Sequence, residues 1–562
     1  MKPHISLLAF AFLTVSCLTD PAADLILING NIYTVSESSP KLEAVAIRDG
    51  MIVEVGANEE ILKTKSSLSK VIDLEGKTVI PGIIEGHGHF MSMGYNKMQV
   101  DLHDAGSFEE LIHRLREKAG MTPRGEWIIG RGWHQDKWKH IPGKVVDVYP
   151  THTLLSAVTP ENPVLLYHAS GHASFANARA MEIAGINKET KFDGEGEIIR
   201  DGQHDPTGIF IESATGLIAR HVPGHSRDEM KKALALATEE CLKYGITGFH
   251  DAGAGLETIG FYRAMLDSGH HMPRLYVMIS GSDPEVMDYY LARGPETGYH
   301  DDFLNIRSIK LFADGALGSR GAWLLEPYAD FPAHSGEPAL DSAFIYETCI
   351  AALRSGFQVC THAIGDRANR EVLNIYEKSF AEFPDISDTR FRIEHAQHLS
   401  GTDISRFGSL GVIASMQAIH MSSDRPWAID RLGEARIKEG AYVWQKLLLS
   451  GARIVNGTDV PVEPANTFAN FYAAVTRKAL NGSPAGGYEP DQKMTREQAL
   501  RSCTIDAAFG EFAENKKGSI EPGKYADLTV LSKDIMSIPE EEILSTEVVM
   551  TILDGEIVFE KQ

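Results

Sequence analysis

Residues 81–94 read PGIIEGHGHFMSMG, an apolar run that ends in two imidazoles one residue apart, His87 and His89. In an extended strand residues i and i+2 face the same way, so both rings aim at one point. Neutral imidazoles that converge at a strand end suit a metal ion. A pair of surface histidines in a turn gives the same pentapeptide, so the choice rests on what the rest of the chain places beside them.

Seven further apolar runs end in polar residues or glycine: GITGFHDAG (245–253), RLYVMISG (274–281), IRSIKLFADG (306–315), FQVCTHAIGD (357–366), FRIEHAQ (391–397), GVIASMQ (411–417) and RIVNGTDVP (453–461). With VIPGIIEGHGH (79–89) they make eight, and helix-like segments at 226–243, 342–355, 366–381 and 435–450 separate several of them. Eight β/α units predict a closed parallel (β/α)8 barrel of TIM type, in the α/β class, whose chemistry gathers at the C-terminal strand ends. The stretch between the first two strands is too long for one crossover, so an inserted subdomain at about 100–240 is expected. Short alternating segments with NG and DG turns occupy 24–76 and 517–562, and predict a small β-sandwich built from both termini. The barrel then spans 77–516.

The 562 residues carry a net charge of −23, which argues against nucleic-acid partners, whose phosphates would be repelled. At the N-terminus Lys2, an apolar run from Ile5 to Val15 and Ser16-Cys17 read as a leader within 1–23. The run is too short to span a bilayer. Small-residue-then-cysteine resembles a bacterial lipoprotein box, so export is expected, with Cys17 as a lipid anchor on a periplasmic or outer-surface protein. The other cysteines, Cys241, Cys349, Cys360 and Cys503, form no CxxC pair and read as small buried hydrophobes.

The proposed strand ends bring His87, His89, Lys310, His362, His395 and Asp459 to one barrel mouth. Each alone has an ordinary structural explanation; their shared placement is what points to a site. The order His-x-His, Lys, His, His, Asp resembles the amidohydrolase superfamily. KLFADGALGSRGAWL, THAIGDRANREVL, RIEHAQ and NGTDVPVEP, with HASGHASFAN and DGQHDPTGIFIESA from the insertion, resemble amidohydrolase family 3, the branch with N-substituted formamide deformylases. The likeness runs from about residue 24 to 560. Two departures stand out: Glu85 and His134 each replace a common Asp, and neither is expected to touch a ligand.

Carried over by position, the resemblance implies two Zn2+ ions, though some relatives keep a single metal. His87, His89 and Asp459 would hold one ion, His362 and His395 the other, with Lys310 bridging as a carboxylated lysine. It further implies a metal-dependent hydrolase that cleaves a non-peptide, N-acyl or N-formyl C–N bond of a small molecule. Hydroxide on the metal would attack, and Asp459 would serve as general acid–base. Deamination or cyclic-amide hydrolysis could run on the same centre, and a non-catalytic binding or regulatory protein is a third reading. His168, His172, Asp314, Arg320 and Trp133 are candidate substrate contacts. The sequence leaves the oligomeric state open; a homodimer is compatible with it.

Overall fold

The computed structural model describes residues 22–561 except 136, 137, 139, 140, 142, 170 and 195. The leader and Cys17 lie outside the described residues. No helix among the described residues is long and apolar enough to cross a membrane.

Eight parallel strands follow one another in chain order around a nearly closed barrel. They are β1 Ile83–Gly88, β2 Ile246–Ala254, β3 Arg274–Ser280, β4 Leu304–Phe312, β5 Gln358–Ala363, β6 Arg392–His395, β7 Ile413–Met416 and β8 Ile454–Asn456. Helices such as Ser342–Ser355 and Asp366–Glu382 form the return connections, and both start and stop within one residue of the periodicity-derived bounds. Two sequence-derived elements are divided. The run 79–89 becomes Thr78–Pro81, which belongs to a terminal sheet, followed by β1. The break falls at Gly82, where any side chain would strike Thr247. The helix expected at 435–450 becomes Glu434–Gly440 and Trp444–Leu449. Between them Tyr442 takes a left-handed φ of 54° and Ala441 bridges to His398.

Both chain ends share one six-stranded sheet: Leu528–Leu531 lies antiparallel to Thr78–Pro81, beside Val548–Leu553 and Glu556–Glu560. A four-stranded sheet, led by Leu25–Ile28 and Ala44–Arg48, packs with it around Leu27, Val45, Val79, Leu528 and Ile552. The chain divides into two compact units. One comprises residues up to Gly88, Cys241–Asp459 and Glu463 onward; the other is His89–Glu240 with Val460–Val462. The second unit has its own six-stranded sheet, which includes Ile128–Trp133 and Val164–His168, over a core of Phe108, Leu111, Trp133, Leu166 and Phe175.

The barrel closes where β8 meets β1. Asp459 N donates to His87 O at 2.8 Å. Glu85, buried on β1, accepts Thr458 N at 2.5 Å and Thr458 Oγ1 at 2.9 Å. So close an approach needs residues without side chains. A methyl group at Gly86 would stand 2.5 Å from Val455 Cγ1 and 2.7 Å from Asn456 O, and one at Gly457 would strike Glu85 and the His87 amide. The first glycine of EGHGH is thereby explained. We expect Gly86→Ala to lower stability by about 1–3 kcal/mol or more, the cost of overpacking a tight interior. Gly202→Ala, whose added methyl group would meet nothing within 4 Å, should leave it unchanged; chemical denaturation of the pair is the check.

Candidate metal centre

The ends of five strands supply the site. Lys310 on β4, His362 on β5 and His395 on β6 lie on neighbouring strands, with Phe312 opposite His362 and Ala363 opposite His395 in register. His87 is the last but one residue of β1, which is buried throughout, and His89 follows directly after the strand as the residue before helix Phe90–Met98. Asp459 comes three residues after β8. His395 and Asp459 both take left-handed backbone, with φ of 73° and 58°. Non-glycine residues pay about 1–3 kcal/mol each for that conformation, and it concentrates at functional sites.

Two donor sets fall within reach of a single ion. His87, His89 and Asp459 bring one ligand atom each within 4.8 Å of one another, and so do His395, His420 and Asp459. The Lys310 Nζ stands 3.1 Å from His87 Nε2. The His362 and His395 rings meet edge-on at 4.5 Å, and those of His87 and His395 at 5.1 Å.

The protonation states follow from the surroundings. His87 Nδ1 lies 2.6 Å from Glu394 Oε2, and a carboxylate so close favours the ring hydrogen there and the lone pair on Nε2, toward Lys310 and Asp459. His395 Nδ1 donates to Gln417 Oε1 at 2.7 Å, which likewise turns Nε2 into the acceptor. Burial, and then the nearby Lys310 charge, push the His87 imidazole down to about 4 and that of His362 to about 3. Burial holds His395 well below its ordinary range and lowers the Lys310 amine. Burial opposes the charge on Glu394, yet Arg392 and then His87 outweigh it and keep it ionised. Arg392 grips that carboxylate at 2.7 and 3.0 Å. Neutral imidazoles, an ionised oriented carboxylate and a buried carboxylate ligand are what a divalent cation requires, so the donor set fits one.

Residues 70–559 match the model of the amidohydrolase family (Amidohydro_3). The chain belongs to the amidohydrolase family. Protein LONG AFTER FAR-RED 3 of Arabidopsis thaliana is 33% identical over 96% of this chain and 93% of its own length. N-substituted formamide deformylase of Arthrobacter pascens is 27% identical over 96% of this chain and 98% of its own. An uncharacterized metal-dependent hydrolase of Pyrococcus horikoshii OT3 superposes with a TM-score of 0.76 at 27% identity, covering 92% of this chain and 99% of that one. The protein is a metal-dependent hydrolase of carbon–nitrogen bonds.

The other sequence candidates of this amidohydrolase occupy different settings. Asp314 does not face solvent: its carboxylate accepts Trp323 N, Ile364 N and Gly365 N at 2.8–2.9 Å and lies 3.5 Å from His362 Nε2. It therefore ties the loop after β4 to the end of β5, and burial pushes its carboxyl up to about 7. Arg320 pairs with Asp330 at 2.8 Å on the surface. Trp133, His168 and His172 belong to the second unit. Trp133 is fully buried and donates to Leu166 O; His168 is buried beside it with Gln135 at 3.1 Å; His172 is exposed and pairs with Glu212 at 3.0 Å. Glu85, expected to stand clear of the ligands, is instead in contact with one: it accepts the His87 amide at 3.4 Å. Burial pushes its carboxyl up to about 7.

Sequence reasoning missed two residues, Glu394 and His420. Glu394 neighbours a recognised histidine, and strand alternation puts neighbours on opposite faces; the left-handed turn at His395 defeats that rule. His420 lies in helix Ala418–Leu432, beyond the strand end where ligands were sought.

Two outcomes follow. Glu394→Gln keeps the size of the side chain and removes the charge that orients His87; it should weaken metal affinity about 10–100-fold in competition with a chelator. In metal-free protein the ring signals of His87 and His362, followed by NMR, should stay still from pH 8 to 5 and move only near pH 4 and below. Because both folded-state pKa values lie under the unfolded 6.5, their contribution to stability is present above pH 6.5 and is lost as the pH falls through about 4 for His87 and about 3 for His362.

Proposed function

We propose that this amidohydrolase cleaves the amide bond of a small N-acyl or N-formyl amine, with release of the amine. The observation that carries the reading is the position of Asp459, whose carboxylate is common to both donor sets beside neutral imidazoles. The likeness to N-substituted formamide deformylase supports the substrate class.

His87, His89 and Asp459 would hold one zinc ion, and His362 and His395 a second. A bound divalent metal would supply Lewis acidity and lower the pKa of water to about 7. Lys310 is 2% exposed, and burial favours its neutral amine. A neutral amine adds to carbon dioxide with loss of one proton, giving a carbamate through which Lys310 would help hold the ions. Asp459, in reach of both donor sets, would take the proton from the attacking water on Oδ1 and pass it to the departing nitrogen. Glu394 orients the His87 ring and Gln417 that of His395 before any ion binds.

The test pairs metal analysis with a screen of N-formyl amines, N-acyl amino acids and cyclic amides. Metal near two equivalents per chain and amine release from the first two groups are expected. Less than half an equivalent, or no amine from any group, would refute the proposal. Asp459→Asn should lower turnover about a hundred- to ten-thousandfold while the melting curve stays cooperative.

A further inference from the structure

We propose that His420 is a catalytic residue of this centre, whose Nε2 donates a hydrogen bond to the carbonyl oxygen of the scissile amide. The inference rests on the amide-hydrolase reading above and adds a role that the resemblance does not assign.

His420 sits in the first turn of helix Ala418–Leu432, which starts directly after β7, and its backbone amide donates to Gln417 O. The side chain is 8% exposed, and its Nε2 is fully buried without a hydrogen-bond partner among the described residues. Buried polar atoms are almost always paired, because desolvation without a partner costs free energy. The Nε2 of Gln417, three residues earlier, is buried and unpartnered as well. Two such groups on one turn point to a polar ligand group that belongs between them and the metal donors.

That location is fixed by the neighbours. A ring nitrogen of His420 lies within 4.8 Å of donor atoms on His395 and Asp459. The same nitrogen is within reach of an ion beside His395 and Asp459, but the ligand scheme proposed above pairs His395 with His362 and leaves His420 free to meet the substrate. His362 already flanks His395 edge-on at 4.5 Å, whereas the His420 ring stacks parallel to His395 at the longer distance of 6.1 Å. A donor just beyond the ligands, yet close to the acid–base Asp459, faces whatever atom of the substrate approaches the ions. In an amide that atom is the carbonyl oxygen.

A carboxylate acts on His420 from the same helix. Asp424, one helical turn on, is half-buried and interacts electrostatically with His420 and with Glu463. Its carboxylate accepts Tyr442 OH at 3.3 Å and Gln397 Nε2 at 3.4 Å, and those two groups are 2.7 Å apart. A neutral imidazole carries one ring N–H, which is the donor required here. As water adds, the carbonyl carbon gains a bond and the C=O π pair moves onto oxygen. The N–H then meets a growing negative charge, which strengthens the hydrogen bond in the transition state.

The experiment compares wild type, His420→Gln and His420→Ala in metal-loaded form on the best N-formyl or N-acyl amine from the screen, with acetohydroxamate as a binding probe. We expect kcat to fall about a hundred- to thousandfold with KM within about threefold. Metal per chain should match wild type, and acetohydroxamate affinity should fall about tenfold. A lost equivalent of metal would make His420 a ligand and overturn the assignment. So would kcat within about fivefold of wild type, or a rise in KM alone. Should the alanine variant fail to fold, the glutamine variant decides. Wild type that releases no amine from any compound refutes the function itself; active wild type with an equally active glutamine variant refutes only this inference.

Discussion

The closure between β1 and β8 is the constraint on which the rest depends. A parallel barrel must bring its first and last strands together, and here they meet through Glu85, Thr458 and the amide of Asp459 rather than through a continuous strand ladder. The same few residues carry two of the proposed metal ligands, His87 and Asp459. The seam that completes the fold and the proposed site of chemistry are one piece of structure. Gly86 and Gly457 permit the approach, and the left-handed backbone at Asp459 turns its carboxylate inward.

Beneath the ligands the barrel interior is charged. Glu394 links His87 to Arg392, which also reaches Gly86 O, Ser415 and His250; His250 in turn lies 3.5 Å from Glu511, and Glu511 pairs with Lys517. A buried ion pair seldom adds stability over a well-packed apolar core, since two charges lose their water. Removing one partner is costly, however, because the other is stranded. Such a network holds ring orientations more firmly than apolar packing could, which suits a centre whose ligands must be in place before an ion arrives.

Much of this was legible in the sequence, for identifiable reasons. Apolar runs that end in His, Lys and Asp are local signals, and eight of them spaced by helix-like segments specify a barrel and its chemical end. The sandwich was legible from NG and DG turns near both termini. The boundary between Thr78–Pro81 and β1 was not, because an unbroken apolar run hides a corner made by Gly82 against Thr247. The helix break at Tyr442 depends on contacts with Gln397 and His398, distant in sequence. Glu85 as a clasp, Glu394 as an orienting carboxylate and His420 beside the centre are facts of folded space. Each looks like an ordinary strand or helix residue until its partner on another element is known. Asp314 shows the converse: a residue picked out for its motif turns out to gather three backbone amides of two loops.

The clasp joins residues 373 positions apart. Closing so long a loop is entropically late, because each local unit can form before it. During folding, then, His87 and Asp459 become neighbours only after nearly the whole chain has found its place. A partly folded chain offers an ion scattered donors with no common focus, so tight metal capture reports that folding has finished. Metal retention is thus a readout of an intact fold, available without any knowledge of what the enzyme consumes.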